Sequence, residues 1–238
     1  MSNMDTLISG CKELGIELNE KKIEQFRLYK ELLQEWNEKI NITAITDDVE
    51  VDIKHFLDSI TIFKTQKIIK GKSIIDIGTG GGFPGVPIKI MEDGTDVTLF
   101  DSLNKRLIFL NEVISKLGLE NIRTIHGRAE EYGIKEEYRE SFDIATSRAV
   151  ASLNILSEYC LPFVKVGGYF IAMKGPEVEE EIKGSENAIK LLGGKIEDKI
   201  DIKLPSSDIT HNLLIIKKIS HTPTKYPRGG GKPKKNPL

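Results

Sequence analysis

A short apolar run, Ser73–Ile77, leads straight into Gly78-Thr79-Gly80-Gly81-Gly82-Phe83-Pro84-Gly85, and no other feature constrains the fold of this chain as strongly. Glycine at this density turns the backbone tightly and leaves it bare, so a ligand can approach with no Cβ in the way. Pro87 suits the first turn of a helix over 86–91. Strand, glycine turn and helix together form the opening of a βα unit.

The rhythm continues. A strand over 96–100 precedes a helix with Leu107, Leu110, Val113, Ile114 and Leu117 on one face, stopped by Gly118. Strands at Ile122–His126 and 142–147 follow, then a helix over 153–164. Gly167-Gly168 turns into a strand over 169–173, and a helix spans 177–192. Strands over 195–203 and 212–219 come last with only a loop between them. Repeated βα units imply a mostly parallel sheet covered on both faces, and the helix-free final pair implies an antiparallel closing strand. Before Gly71 the pattern is helical. Leu7, Ile8, Cys11 and Leu14 stop at Gly15, and Asn19 caps a helix carrying Ile23, Phe26, Tyr29, Leu33, Trp36 and Ile40 at spacings of three and four. A third helical stretch covers 51–65. The expected organisation is a helical cap (1–70), an α/β domain (71–220) and a tail (221–238).

Cys11 and Cys160 are far apart, and His55, His126, His211 and His221 are scattered, so no metal-ligand spacing exists. No signal peptide or membrane-length apolar run is found, and a cytoplasmic monomer is expected. The net charge is −2, but Lys217 to Leu238 holds seven Lys/Arg and no acid. Such an end either attracts a polyanion or merely solubilises the chain. Its prolines and glycines predict an extended, mobile strip without helix.

The glycine loop alone fits several nucleotide ligands. Phe83 replaces the third glycine of a dinucleotide fingerprint, however, and Asp76 would repel a diphosphate while suiting the cationic amino-acid end of S-adenosylmethionine. The alternative for Asp76 is a turn cap. Asp101 ends the second strand, where a carboxylate can accept ribose hydroxyls. The third and fourth strands lead to Gly127-Arg128-Ala129-Glu130 and Ser147-Arg148-Ala149, at the carboxyl ends where such sheets bind ligands. The Ala129 amide and Glu130 carboxylate are placed for an adenine edge. Arg148 is placed for substrate or catalysis, against the alternatives of a helix-terminal charge for Glu130 and a salt bridge for Arg148.

Trp36-Asn37, Ile40 to Ile45, His55-Phe56-Leu57-Asp58-Ser59, the glycine loop, Asp101-Ser102 with Lys105-Arg106, Gly127 to Glu130, Ser147 to Ala149 and the tail from Tyr226 to Leu238 occur together and in order. In these segments the chain resembles the RsmG (GidB) family; the Gly229-Gly230-Gly231 run departs from the family pattern. The resemblance implies a Rossmann-like class I methyltransferase fold, S-adenosylmethionine as cofactor, and methylation of guanine N7 in 16S ribosomal RNA, free or within the small subunit or an assembly intermediate. It implies cofactor contacts at Gly78, Phe83, Ala129, Glu130 and Arg148, to which the residue pattern adds Asp76, Gly80, Asp101 and Ser102.

Guanine N7 carries a lone pair and no proton, so no general base is needed; placement and desolvation remain as the work of the protein. Lys105, Arg106, Arg123, Arg128, Lys174, Arg228, Lys232 and Lys234 are the expected RNA contacts, with Arg148 orienting the base. Rival readings are a methyltransferase of another RNA; one of a protein or a small molecule, for which the basic tail is superfluous; a nicotinamide oxidoreductase, disfavoured by Phe83 and the closing strand pair; and a non-catalytic RNA-binding protein, disfavoured by the intact loop and Asp101.

Overall fold

In the computed structural model, residues 4–148 and 151–238 are described; Ala149 of the Ser147-Arg148-Ala149 motif lies outside them. The cap opens with α1 (Asp5–Glu13) and α2 (Glu20–Ile40), whose Asn19 side chain accepts from the Lys22 amide as the expected N-cap. The predicted third helix is interrupted: α3 (Asp48–Val51), π-helical turns over Asp52–Leu57, α4 (Asp58–Ile60) and a 3-10 turn over Thr61–Thr65. A π-helical widening shifts the angular spacing of side chains, which helical periodicity in a sequence does not reveal.

The α/β part runs β1 (Ser73–Ile77), α5 (Gly85–Met91), β2 (Asp96–Asp101), α6 (Asn104–Leu117), β3 (Ile122–His126), α7 (Ala129–Tyr132), β4 (Phe142–Arg148), α8 (Leu153–Cys160), β5 (Val164–Lys174), α9 (Glu179–Leu191), β6 (Gly194–Lys203) and β7 (Thr210–Lys218). The strands lie in the order β3-β2-β1-β4-β5-β7-β6. β1 to β5 are mutually parallel, while β7 runs antiparallel to both β5 and β6, the reversed closing strand expected above. Strand order reverses between β1 and β4, and a crevice opens there at their carboxyl ends.

The helix predicted over 153–164 ends at Cys160. Pro162 sits in a 3-10 turn, Leu161–Phe163, and β5 begins at Val164, well before the predicted 169. Proline lacks the amide that would continue the helix. One apolar cluster on one sheet face includes Phe26, Tyr29, Phe56, Val86, Phe109 and Leu110, so cap and α/β layers share a core across residue 70. A second cluster on the opposite face packs α8 and α9 against the sheet and takes in Tyr226 of the tail.

The tail differs from the mobile strip expected. Lys218 is fully buried, its ammonium donating to the Leu161 and Val164 carbonyls and to Thr222 Oγ1 and pairing with Glu140 at 3.1 Å. Arg139 donates to the carbonyls of Thr222, Pro223 and Tyr226, and Glu140 accepts from the Thr222 amide. Arg228 forms a two-pronged ion pair with buried Glu158. Beyond it a short helix, α10 (Lys232–Lys235), has Pro233 in its first turn, where no amide partner is needed, and packs against α8 with Pro233 buried.

Candidate active site

One cavity opens beside the glycine loop, and a second lies beyond Phe83, lined by His55 and Arg148. The first, of about 260 Å³, is lined by Ile77, Gly78, Phe100, Asp101, Ser102, Gly127, Arg128, Ala129, Glu130 and Tyr159. It joins the ends of β1, β2 and β3, where the sequence placed Gly78, Asp101, Ser102, Ala129 and Glu130. The loop is tied down by the Gly78 and Thr79 amides, both donating to the Phe100 carbonyl. Asp101 braces it through Oδ2, which accepts from the Gly80 amide at 2.9 Å, while Oδ1 accepts from the Leu103 amide at 2.8 Å. Arg106 approaches the same carboxylate at 3.5 Å. Gly78 and Gly80 have φ of +70° and +59°. A Cβ at Gly80 would meet only the Gly78 carbonyl, at 3.9 Å, so the backbone is open to a ligand there.

Asp76 is not at the cavity surface. It is fully buried, and its Oδ2 accepts from the Thr79 hydroxyl at 2.6 Å and the Gly85 amide at 2.9 Å, which makes it a brace of the loop. Its Oδ1 has no hydrogen-bond partner among the described residues. Burial pushes this carboxyl up to about 6 against the opposing pull of those two bonds. An orphaned buried acceptor beneath a bare glycine turn fits a cationic ligand group better than a diphosphate.

The second cavity, about 360 Å³, lies on the other side, between the cap and the ends of β4, β5 and β7. Its walls include Ile45, Lys54, His55, Asp58, Arg148, Met173, Leu204, Ile209 and His211. Arg148 is anchored here: Nη1 donates to Asp58 Oδ2 at 2.6 Å and to the Lys54 carbonyl at 2.9 Å, and Nη2 to His55 Nδ1 at 3.1 Å. Its guanidinium carbon lies 5.0 Å from the centre of the Phe83 ring. His55 stacks on Phe83 at 4.5 Å with the planes 12° apart. The Tyr29 hydroxyl donates to the Gly81 carbonyl from the cap side. Phe83 is therefore the joint between loop, cap and Arg148. Its ring is buried rather than exposed to the first cavity.

Burial, and after it the Arg148 charge, push His55 down from the usual 6.5 to about 3. Between those values the unfolded chain binds a proton that the folded chain refuses. The stability contributed here is thus complete above about pH 6.5 and lost as pH falls. Urea midpoints measured between about pH 7 and 4 should show this slope in the wild type and a flatter one in His55→Gln. An equal slope in both would place the acid sensitivity elsewhere.

The basic residues divide. Lys105 is exposed on the first turn of α6 and Arg128 is exposed at the mouth of the first cavity, while Lys232 and Lys234 are exposed on α10. Arg123 is not at the crevice: it pairs with Asp96 at 2.8 Å, near the opposite ends of β3 and β2. Lys174 is engaged by Glu181 at 2.7 Å and the Ala151 carbonyl, with its side chain 8% exposed, and Arg228 is held by Glu158. Lys174 and Arg228 are thus held in largely buried ion pairs, and Arg123 lies in an exposed surface pair away from the crevice. Sequence reasoning gave no role to Tyr29, Asp58 or His211. His55 and Asp58 stood within a resembling segment, whereas nothing near His211 in the chain pointed to the crevice.

A model of the family described as rRNA small subunit methyltransferase G (GidB) matches residues 22–205. A protein of Alkaliphilus metalliredigens called ribosomal RNA small subunit methyltransferase G is 54% identical over all 238 residues of both chains. One of Clostridium tetani with the same name is 55% identical, again over the full length of each. Among solved structures, a SAM-dependent methyltransferase from Aquifex aeolicus superposes with a TM-score of 0.54 at 16% identity, covering 74% of this chain and 96% of that one. That likeness concerns the fold, a class I methyltransferase sheet. Family match, full-length identity and a crevice built from the ends of β1 to β5 agree: this chain belongs to the rRNA small subunit methyltransferase G family.

Proposed function

We propose that the chain transfers a methyl group from S-adenosylmethionine to N7 of a guanine in 16S ribosomal RNA, acting in the cytoplasm as a monomer on the small subunit or its assembly intermediate. The supporting observation is a cavity at the glycine loop and a second one joined to that loop through Phe83, which packs on His55 and Arg148 of the second cavity's wall. Gly78, Gly80, Asp101, Ser102, Ala129 and Glu130 hold the cofactor. Asp101 accepts from the ribose hydroxyls, since each of its oxygens has a lone pair beyond those used on the Gly80 and Leu103 amides. Glu130, buried and lining the cavity, accepts from the exocyclic amine of adenine. Asp76 acts from beneath, by holding the loop in shape through the Thr79 hydroxyl and the Gly85 amide. When bound, S-adenosylmethionine supplies an electrophilic methyl group that guanine N7 can take with its in-plane lone pair and no loss of a proton.

The base enters the second cavity, whose Ile45, Met173, Leu204 and Ile209 exclude water. Arg148 spends three donors on Asp58, Lys54 and His55, which leaves Nε–H and one Nη2–H for guanine O6 or a phosphate. Exposed Lys105, Arg128, Lys232 and Lys234 neutralise RNA phosphates.

Mass-spectrometric mapping of 7-methylguanine in small-subunit RNA, with and without the gene, tests the activity directly. Its absence from wild-type RNA would refute the reading. For the RNA surface, Lys232→Gln with Lys234→Gln should leave the melting temperature unchanged. It should also reduce the slope of log affinity against log salt by about 0.7–0.9 for each phosphate no longer neutralised. An unchanged slope would remove α10 from the RNA interface.

A further inference from the structure

The groups behind Arg148 form a continuous hydrogen-bonded chain across three separate segments. Asp58 Oδ2 accepts from Arg148 of β4 at 2.6 Å, and Asp58 Oδ1 faces Nδ1 of His211 on β7 at 2.5 Å. His211 Nε2 lies 3.1 Å from Thr61 Oγ1, and the Thr61 hydroxyl already donates its one proton to the Asp58 backbone carbonyl. The carboxylate can only accept, so Nδ1 of His211 is the donor to Asp58, while Nε2 on the far side of the ring rests against Thr61 Oγ1. Thr61 is fully buried, and the side chains of Asp58 and His211 are 16% and 8% exposed. Burial opposes ionisation of Asp58, but the bonds from His211 and the charge of Arg148 outweigh it and hold the carboxyl below its usual range.

Geometry gives this chain a direction. Arg148 Nη1 is bonded to two acceptors and Nη2 to one, and of these only Asp58 carries charge. Asp58 is in turn a carboxylate on a short helix, where χ1 and χ2 leave it free to rotate unless its second oxygen is also fixed. His211 fixes that oxygen, and Thr61 fixes the plane of the His211 ring. We propose that Asp58 and His211 are positioning residues that lock the guanidinium of Arg148 in register with the substrate base, without touching the base through their bonded atoms. This rests on the reading of the second cavity as the base site.

The test begins with wild-type turnover on small-subunit RNA; if that is absent, the underlying reading fails and the positioning role with it. With turnover present, kcat, RNA KM, cofactor affinity and melting temperature are measured for His211→Leu, His211→Asn and His211→Gln. Asparagine can present an amide N–H near the place of Nδ1 and so hold Asp58, whereas glutamine reaches nearer the place of Nε2 and Thr61. A misplacement of about 1 Å at a reacting geometry can cost about 10²-fold. His211→Leu should therefore lose kcat by up to about 10²-fold with cofactor affinity kept within about twofold. His211→Asn should recover most of that loss and His211→Gln much less. Asp58→Asn keeps the size of the side chain, removes its charge, and should mimic His211→Leu in kcat; it serves if the leucine variant does not fold. Wild-type kcat in His211→Leu or in Asp58→Asn would overturn the proposal. So would a parallel fall of kcat, cofactor affinity and melting temperature in which asparagine rescues no better than glutamine, since that is the pattern of a merely structural role.

Discussion

Arg148→Ala should lower methyl transfer by at least about 10²-fold, the scale for losing a group that positions or electrostatically supports a reacting base. The same change leaves Asp58 Oδ2, the Lys54 carbonyl and His55 Nδ1 without their donor. Loss of partners at such half-buried groups costs about 1–3 kcal/mol, so the melting temperature should fall as well. Cofactor affinity separates two roles. If Arg148 acts mainly on the base, affinity should change little; if it also holds the cofactor through its contact with Phe83, affinity and turnover should fall together. Arg148→Lys is informative beside it, because lysine keeps the charge but cannot serve Asp58, Lys54 and His55 from one planar group. Calorimetry with the cofactor and single-turnover assays on one preparation decide the matter. Unchanged turnover in Arg148→Ala would remove this residue from the site.

Deleting residues 220–238 should be still more damaging, though by another route. Glu158 is 1% exposed and would lose Arg228, its ion-pair partner. Breaking a buried pair from one side costs about 3–5 kcal/mol. Tyr226, buried in the second apolar cluster, would leave a void, and Arg139 would lose three tail carbonyls. Emptying the Tyr226 site adds about 3 kcal/mol. The total approaches the whole stability of a domain, about 5–15 kcal/mol. The truncated chain should aggregate or melt far below the full chain, and cofactor binding should be lost with the fold. A truncated protein that melts like the intact one would show that these tail interactions carry little energy. The exposed lysines of α10, exchanged singly or in pairs, are the cleaner probe of RNA binding.

Much of the architecture is legible in the residues. The apolar runs, the glycine stops at Gly15 and Gly118, and the helix-free closing pair all correspond to elements of the fold. The first cavity was legible for the same reason: strand ends in a doubly wound sheet converge, so residues just after β1, β2 and β3 must meet. Partnership between distant charges was not. Arg228 and Glu158 are 70 positions apart, and Arg148 and Asp58 are 90 apart. A linear count of basic residues registers the cation but not the anion that the fold delivers to it, which is why Arg123, Lys174 and Arg228 read as free. Asp76 shows a second limit. Its place beside the glycine turn followed from the sequence, but whether its oxygens face the ligand or the loop depends on the Thr79 hydroxyl and Gly85 amide folding back over it.

The position of Phe83 has a thermodynamic consequence. Its ring is stacked on His55 and faced by Arg148, both of which line the cavity proposed for the base, while Gly78 of the same loop lines the cavity proposed for the cofactor. On that reading the two sites are linked through the packing of a buried ring that lines neither cavity, and a shift of the loop at one is passed to His55 and Arg148 at the other. Free energies of binding are path-independent, so the factor by which S-adenosylmethionine tightens the hold on RNA equals the factor by which RNA tightens the hold on S-adenosylmethionine. Whatever coupling the buried ring carries between the two proposed sites is therefore equal in both directions.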